Sequence, residues 1–202
     1  MMLPNPGELV LGVFSMVLIG LVLVSILVWA GKKFTKKMSQ RLKKGWLIAH
    51  MLLVIIYFSG VIGATLLALS TLFITEDINI YAAHFFIQYF DWFVIIPGGI
   101  GSLITGIWLA VRTNWGVTKY YWVMAKWIGT IGAIAFGGNF MRYWFHDNFH
   151  VIFEPDIHPL QNPLYLQNRE EMFFGLVICF VILIFLFIIS YLKPWGKRNA
   201  RE

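Results

Sequence analysis

A single cysteine, Cys179, stands in this 202-residue chain, so no intramolecular disulfide can form. It lies inside an apolar run and says nothing about an oxidising compartment. Charge is scarce as well. Asp, Glu, Lys and Arg make up 13% of the residues, about half the share usual in a soluble domain. Catalytic signatures are missing: there is no glycine-rich phosphate loop with its lysine, no HExxH pair and no nucleophile elbow. Ser59, Ser70, Ser102 and Thr105 fall in apolar helical runs with no base beside them. No enzyme is expected, and no internal repeat is found. The first residues, MMLPNPGE, lack a basic segment, and lysines follow the first apolar run instead of preceding it. That order predicts an uncleaved anchor inserted with its N-terminus outside.

Apolar residues, by contrast, reach 59%, more than a soluble domain of this size can bury. The expected fold is an all-α polytopic transmembrane helical bundle forming a single domain of five spans. These run near Leu9–Ala30, Trp46–Ile74, Phe85–Val111, Tyr121–Phe145 and Met172–Leu192, with an outer loop over His146–Glu171. The net charge of +6 would suit nucleic acid, but seven of the sixteen basic residues (Lys32, Lys33, Lys36, Lys37, Arg41, Lys43 and Lys44) fill one short gap between apolar runs. Such a block holds a loop on the cytoplasmic side against anionic lipid. The bilayer, with anionic lipid at its inner face, is therefore the expected partner, and nucleic acid is not. With the C-terminus inside, fourteen of the sixteen Lys and Arg residues fall on the inner side, and nine of the ten acidic residues fall outside.

Small residues recur every fourth position in three spans: Gly60, Ala64 and Ala68; Gly98, Ser102 and Gly106; Gly129, Ala133 and Gly137. Such stripes let helix backbones approach. They predict a core of spans two to four with spans one and five at the periphery. Pro97-Gly98-Gly99 predicts a kink in span three.

Ionisable groups inside a membrane are costly and draw attention to function. His84, Gln88 and Asp91 share one face of span three, and Asn139, Arg142 and His146 share one face of span four. Both stripes lie near the outer boundary. They allow either an Asp91–Arg142 ion pair locking the two spans or a small pocket whose ligand contacts are these six residues. His84, His146 and His150 are the metal candidates, since His-x-x-x-His is a workable ligand pair on a helix. Haem b is the other cofactor considered, with His84 opposite His146 or His150 as axial ligands. His50, at the inner end of span two, and Lys126 are expected to snorkel toward headgroups.

The segments Asp91-Trp92-Phe93-Val94-Ile95-Ile96-Pro97, GSLITG, Thr113-Asn114-Trp115-Gly116 and Tyr121-Trp122-Val123-Met124-Ala125-Lys126-Trp127 together resemble a bacterial family of small multi-pass integral membrane proteins. The likeness covers about Trp46 to Gly138. It implies a bacterial cytoplasmic membrane location and a shared scaffold that includes Asp91, Pro97, Trp115, Gly116 and Lys126. It implies no activity. A more distant likeness joins the chain to the copper-resistance D type of membrane protein, but the methionine-rich or His–Cys cluster that copper handling would require is absent. Three functions remain open on this reading: binding of a small ligand, haem or metal at the outer face; an accessory subunit of a larger membrane complex or a homo-oligomer; and a transporter or channel.

Overall fold

The computed structural model describes residues 5–34, 38–147, 149, 153 and 157–198. Among them the chain is all-helical, with no strand beyond one isolated bridge between Tyr120 and Lys197. The helices are α1 (Pro6–Lys32), α2 (Gln40–Ser70), α3 (Asp77–Phe90), α4 (Ile96–Arg112), α5 (Tyr121–Phe136) and α6 (Pro163–Leu192). α3 and α4 join through a π-helical turn, Asp91–Ile95, into one helical segment from Asp77 to Arg112. Two further π turns, Gly137–Met141 and Tyr143–Asp147, carry α5 onward. Four helical segments are long and apolar enough to cross a membrane: α1, α2, α3–α4 and α6.

Local chemistry explains the helix ends. Asn5 caps α1 and Ser39 caps α2, each side chain accepting a hydrogen bond from a first-turn N–H. Pro97 accounts for the first π turn. Lacking an N–H, it cannot donate to the carbonyl four residues back, and the preceding Ile96 N–H reaches instead to the Asp91 carbonyl, five residues back. The expected kink is thus realised as a change of helical register.

α6 begins well before the expected span, within the segment assigned to an outer loop. Asn162 caps it by accepting from Leu164 N at 2.9 Å, and Pro163 occupies its first position. One face of its polar first turns is buried, with Tyr165 and Asn168 0% and 3% exposed, while Gln167 and Glu170 on the other face are exposed. Asn162→Ala is expected to cost about 1 kcal/mol, read as a lower midpoint of thermal unfolding in detergent.

The packing departs from a core of spans two to four. α2, α4, α5 and α6 form a closed ring in that order, and α1 lies in the groove between α4 and α5. α1 is peripheral as expected, with Val24 and Gly31 its buried residues. α6 is not. It closes the ring between α5 and α2, and Met172, Gly175, Leu176, Leu183 and Ile189 are buried along it. Bulk all round does not by itself mean exposure to lipid. A bulky helix can be a ridge, and here its Leu186 seats over Gly129 of α5. The stripe of α4 does face α2, while Gly60 of the α2 stripe faces Val94 and Ile95 of the first π turn. A Cβ on Gly98 would fall 2.7 Å from the Tyr57 backbone nitrogen. The stripe on α5 does not meet α4: Gly129 faces α6, and a Cβ on Gly137 would have nothing within 4 Å.

Candidate functional site

α3 is regular as far as Phe90, so residues 84, 88 and 91 remain on one face, and His84, Gln88 and Asp91 are all buried. Asp91 opens the π turn ahead of Pro97. Its Oδ2 lies 2.8 Å from His146 Nε2, in the last π turn of the α5 extension. The two side chains are 11% and 13% exposed. Trp92, the next residue in the turn, stacks on the imidazole at 4.9 Å between centroids and 7° between planes. The ring is therefore held by a carboxylate at one edge and by an indole over one face.

Arg142 does not take part. Its Nε lies 3.5 Å from Asp147 Oδ1 in an exposed pair, so the expected Asp91–Arg142 ion pair is not formed. Asn139 is also elsewhere: its amide donates to Ala135 O at 2.7 Å, and its side chain packs against Gly12 of α1. The reason is helical register. A π turn holds one more residue than an α turn, which rotates everything beyond it by roughly 100°. Two such turns fan Asn139, Arg142 and His146 into three directions, where uninterrupted α-helical spacing would have aligned them.

His84 stands apart from this pair, edge-on to Phe153 and Tyr165 at 5.5 Å each. Its Nε2 and the Nδ1 of His146 are buried and make no hydrogen bond among the described residues. The third proposed metal ligand, His150, lies outside the described residues. Among the described residues, no three His, Cys, Asp or Glu side chains gather as a metal would require.

His158 and the first turns of α6 are tied down by groups that were read from the sequence as loop polarity. His158 Nδ1 accepts from Leu160 N at 3.2 Å, so its Nε2 carries the proton and donates to Thr75 O at 2.9 Å. Arg169 donates to Thr71 O at 3.0 Å and lies over the Tyr165 ring. Glu171 accepts from Trp144 Nε1 at 2.8 Å and from Gln167 at 2.9 Å. Asn168 donates to Trp144 O. The Asn162-Pro163 dipeptide was the one local signal that a helix, not a loop, begins there.

At the other end of α4, His50 does not snorkel. The Thr105 hydroxyl gives its proton to Gly101 O at 2.7 Å, leaving an oxygen lone pair for His50 Nδ1 at 2.9 Å. Lys126 likewise donates to Ser190 of α6 at 2.9 Å. Both side chains bridge helices within the ring. In the turn between α4 and α5, Gly116 has φ +65°, a conformation that favours glycine, and Trp115 packs edge-on against Trp122.

No protein-family model, curated protein or solved structure matches the chain.

Proposed function

We propose that this is a non-enzymatic membrane protein that binds a small ligand, a transition metal or haem near its outer face through His146, with Asp91 setting the ring. The observation that carries the reading is the 2.8 Å contact between Asp91 Oδ2 and His146 Nε2. An ionised carboxylate there accepts a hydrogen bond from Nε2–H, which keeps the proton on Nε2 and leaves the Nδ1 lone pair as the reactive edge. A carboxylate behind a histidine is the arrangement that makes an imidazole a better metal ligand. Among the described residues Nδ1 has no hydrogen-bonding partner, and a buried acceptor left alone is costly, so a ligand there offsets that penalty. His84, with its own unpartnered Nε2, is the second candidate contact.

The test is the absorbance spectrum and metal content of protein purified in mild detergent, with native mass spectrometry for any small molecule. The expected result is a bound species lost in His146→Ala and held about 10- to 100-fold more weakly in Asp91→Asn. A colourless, metal-free wild-type protein with no bound molecule overturns the reading.

The same proposal places the chain in a bacterial cytoplasmic membrane with five crossings, N-terminus outside and C-terminus inside. The fifth crossing is α5 with its π turns, a helical path from Tyr121 to Asp147. It exceeds the roughly 20 residues a bilayer core demands. The basic residues supply the direction. In a Cys179→Ser background, Glu76→Cys is expected to react with a membrane-impermeant thiol reagent in intact cells. Lys44→Cys should react after permeabilisation alone. The reverse pattern rejects the orientation, and labelling of both in intact cells rejects the crossing between them.

A further inference from the structure

The end of the bundle opposite Asp91 carries a built cationic cleft. Thr118, Lys119, Lys197 and Arg198 line a cavity of about 360 Å³ between the α4–α5 turn and the segment after α6. Backbone, not side-chain attraction, brings these groups together. α6 ends at Leu192, and Lys193 caps it in a left-handed conformation (φ 47°). Trp195 (φ 60°) and Gly196 (φ 28°) then turn the chain back. The returning segment pairs antiparallel with the α4–α5 turn at Tyr120 and Lys197, and Arg198 N donates to Lys119 O at 2.9 Å. On the facing side Gly116 N donates to Ala110 O at 2.9 Å, closing the turn that presents Thr118 and Lys119.

Three cations are thus held around one cleft, and among the described residues no carboxylate pairs with any of them. Their mutual repulsion opposes the backbone pairing that assembles them. A bound polyanion would remove that repulsion. Phosphate suits the donor set: the planar Arg198 guanidinium for two oxygens, the Lys197 ammonium and the remaining hydrogens of Lys119 Nζ, which also donates to Asn114 O at 3.1 Å, and the Thr118 hydroxyl. The surroundings are those of a membrane–water boundary. Tyr121, Tyr191, Leu192 and Trp195 are 46%, 80%, 64% and 55% exposed beside the cleft, and such side chains sit at headgroup level with apolar surface turned to acyl chains.

We propose that this cleft binds the phosphate of an anionic phospholipid headgroup, at a discrete site distinct from the diffuse attraction of the basic block between α1 and α2. The proposal is independent of the reading of Asp91 and His146.

The test uses the full chain in mild detergent, followed by native mass spectrometry during titration with phosphatidylglycerol, phosphatidylcholine and inorganic phosphate. One phosphatidylglycerol is expected to bind in preference to phosphatidylcholine and to resist competition by inorganic phosphate. Lys197→Ala/Arg198→Ala should weaken it by about 30-fold, at roughly fivefold per cation. Lys32→Ala/Lys33→Ala, which removes equal charge elsewhere, should change it by less than about twofold. Equal losses in the two double variants would overturn the discrete site. Displacement by inorganic phosphate at concentrations comparable with the lipid would overturn the lipid as the source of the phosphate. Both altered positions are exposed beyond the end of α6, and an unchanged thermal midpoint confirms that folding is intact.

Discussion

His146→Ala is expected to destabilise the folded chain by about 3–5 kcal/mol, the usual cost of stranding a buried charge by removing its partner. Among the described residues His146 is the one donor to the Asp91 carboxylate, at 2.8 Å, and the carboxylate is 11% exposed. Alanine leaves that carboxylate in an apolar surrounding with no donor and also removes the ring stacked on Trp92. Asp91→Asn should cost less, about 1–3 kcal/mol, because an amide oxygen still accepts from Nε2–H and only the charge is lost. The double variant Asp91→Leu/His146→Leu should lie closer to wild type than His146→Ala does, since replacing both partners by apolar groups leaves nothing stranded. Reversible unfolding in mixed micelles, run as a double-mutant cycle, measures all three. If His146→Ala falls within about 1 kcal/mol of wild type, as an exposed pair would, the buried Asp91–His146 hydrogen bond is refuted and the ligand reading loses its anchor.

Gly98→Val should be comparably damaging, while Gly99→Ala, one position along, should be harmless. The contrast comes from what lies opposite each residue. A Cβ on Gly98 would fall 2.7, 2.8 and 2.9 Å from Tyr57 N, Cα and Cβ. Two of those atoms are main chain and cannot swing aside, so α2 and α4 must separate. That interface is the most extensive in the ring. Overpacking costs about 1–3 kcal/mol when side chains can adjust, and Gly98→Val is expected at or above the upper end. A Cβ on Gly99 has its nearest neighbour, Tyr57 Cζ, at 3.7 Å, an ordinary van der Waals contact. Alanine there gains helix propensity of about 0.5–1 kcal/mol. Folded yield by size exclusion and the detergent unfolding midpoint separate the two. Equal behaviour would mean that α2 and α4 do not touch at Gly98.

The four helices long and apolar enough to cross a membrane, and their approximate positions, were legible because they depend on local composition: runs such as Phe180–Ile189 have no polar side chain to satisfy elsewhere. The close approach of α4 to α2 was also legible, since Gly98 and Gly106 recur within regular helix and both face α2. Spacing was informative along α3, where no π turn intervenes, and His84, Gln88 and Asp91 are buried together as one face. It misled along span four. There the spacing of Asn139, Arg142 and His146 presumed 3.6 residues per turn, and the two π turns changed it.

By itself, then, the sequence determined that this chain is helical and apolar enough for lipid, and which face of α3 is polar. Both follow from interactions within one or two turns. Tertiary structure alone decided that Asp91 meets His146 and not Arg142, that α6 closes the ring, and that Lys119, Lys197 and Arg198 surround one cleft. Each of those depends on a rotation about a helix axis or a reversal of the chain. A single extra residue in a turn alters such a rotation by roughly 100° and leaves composition and periodicity almost unchanged.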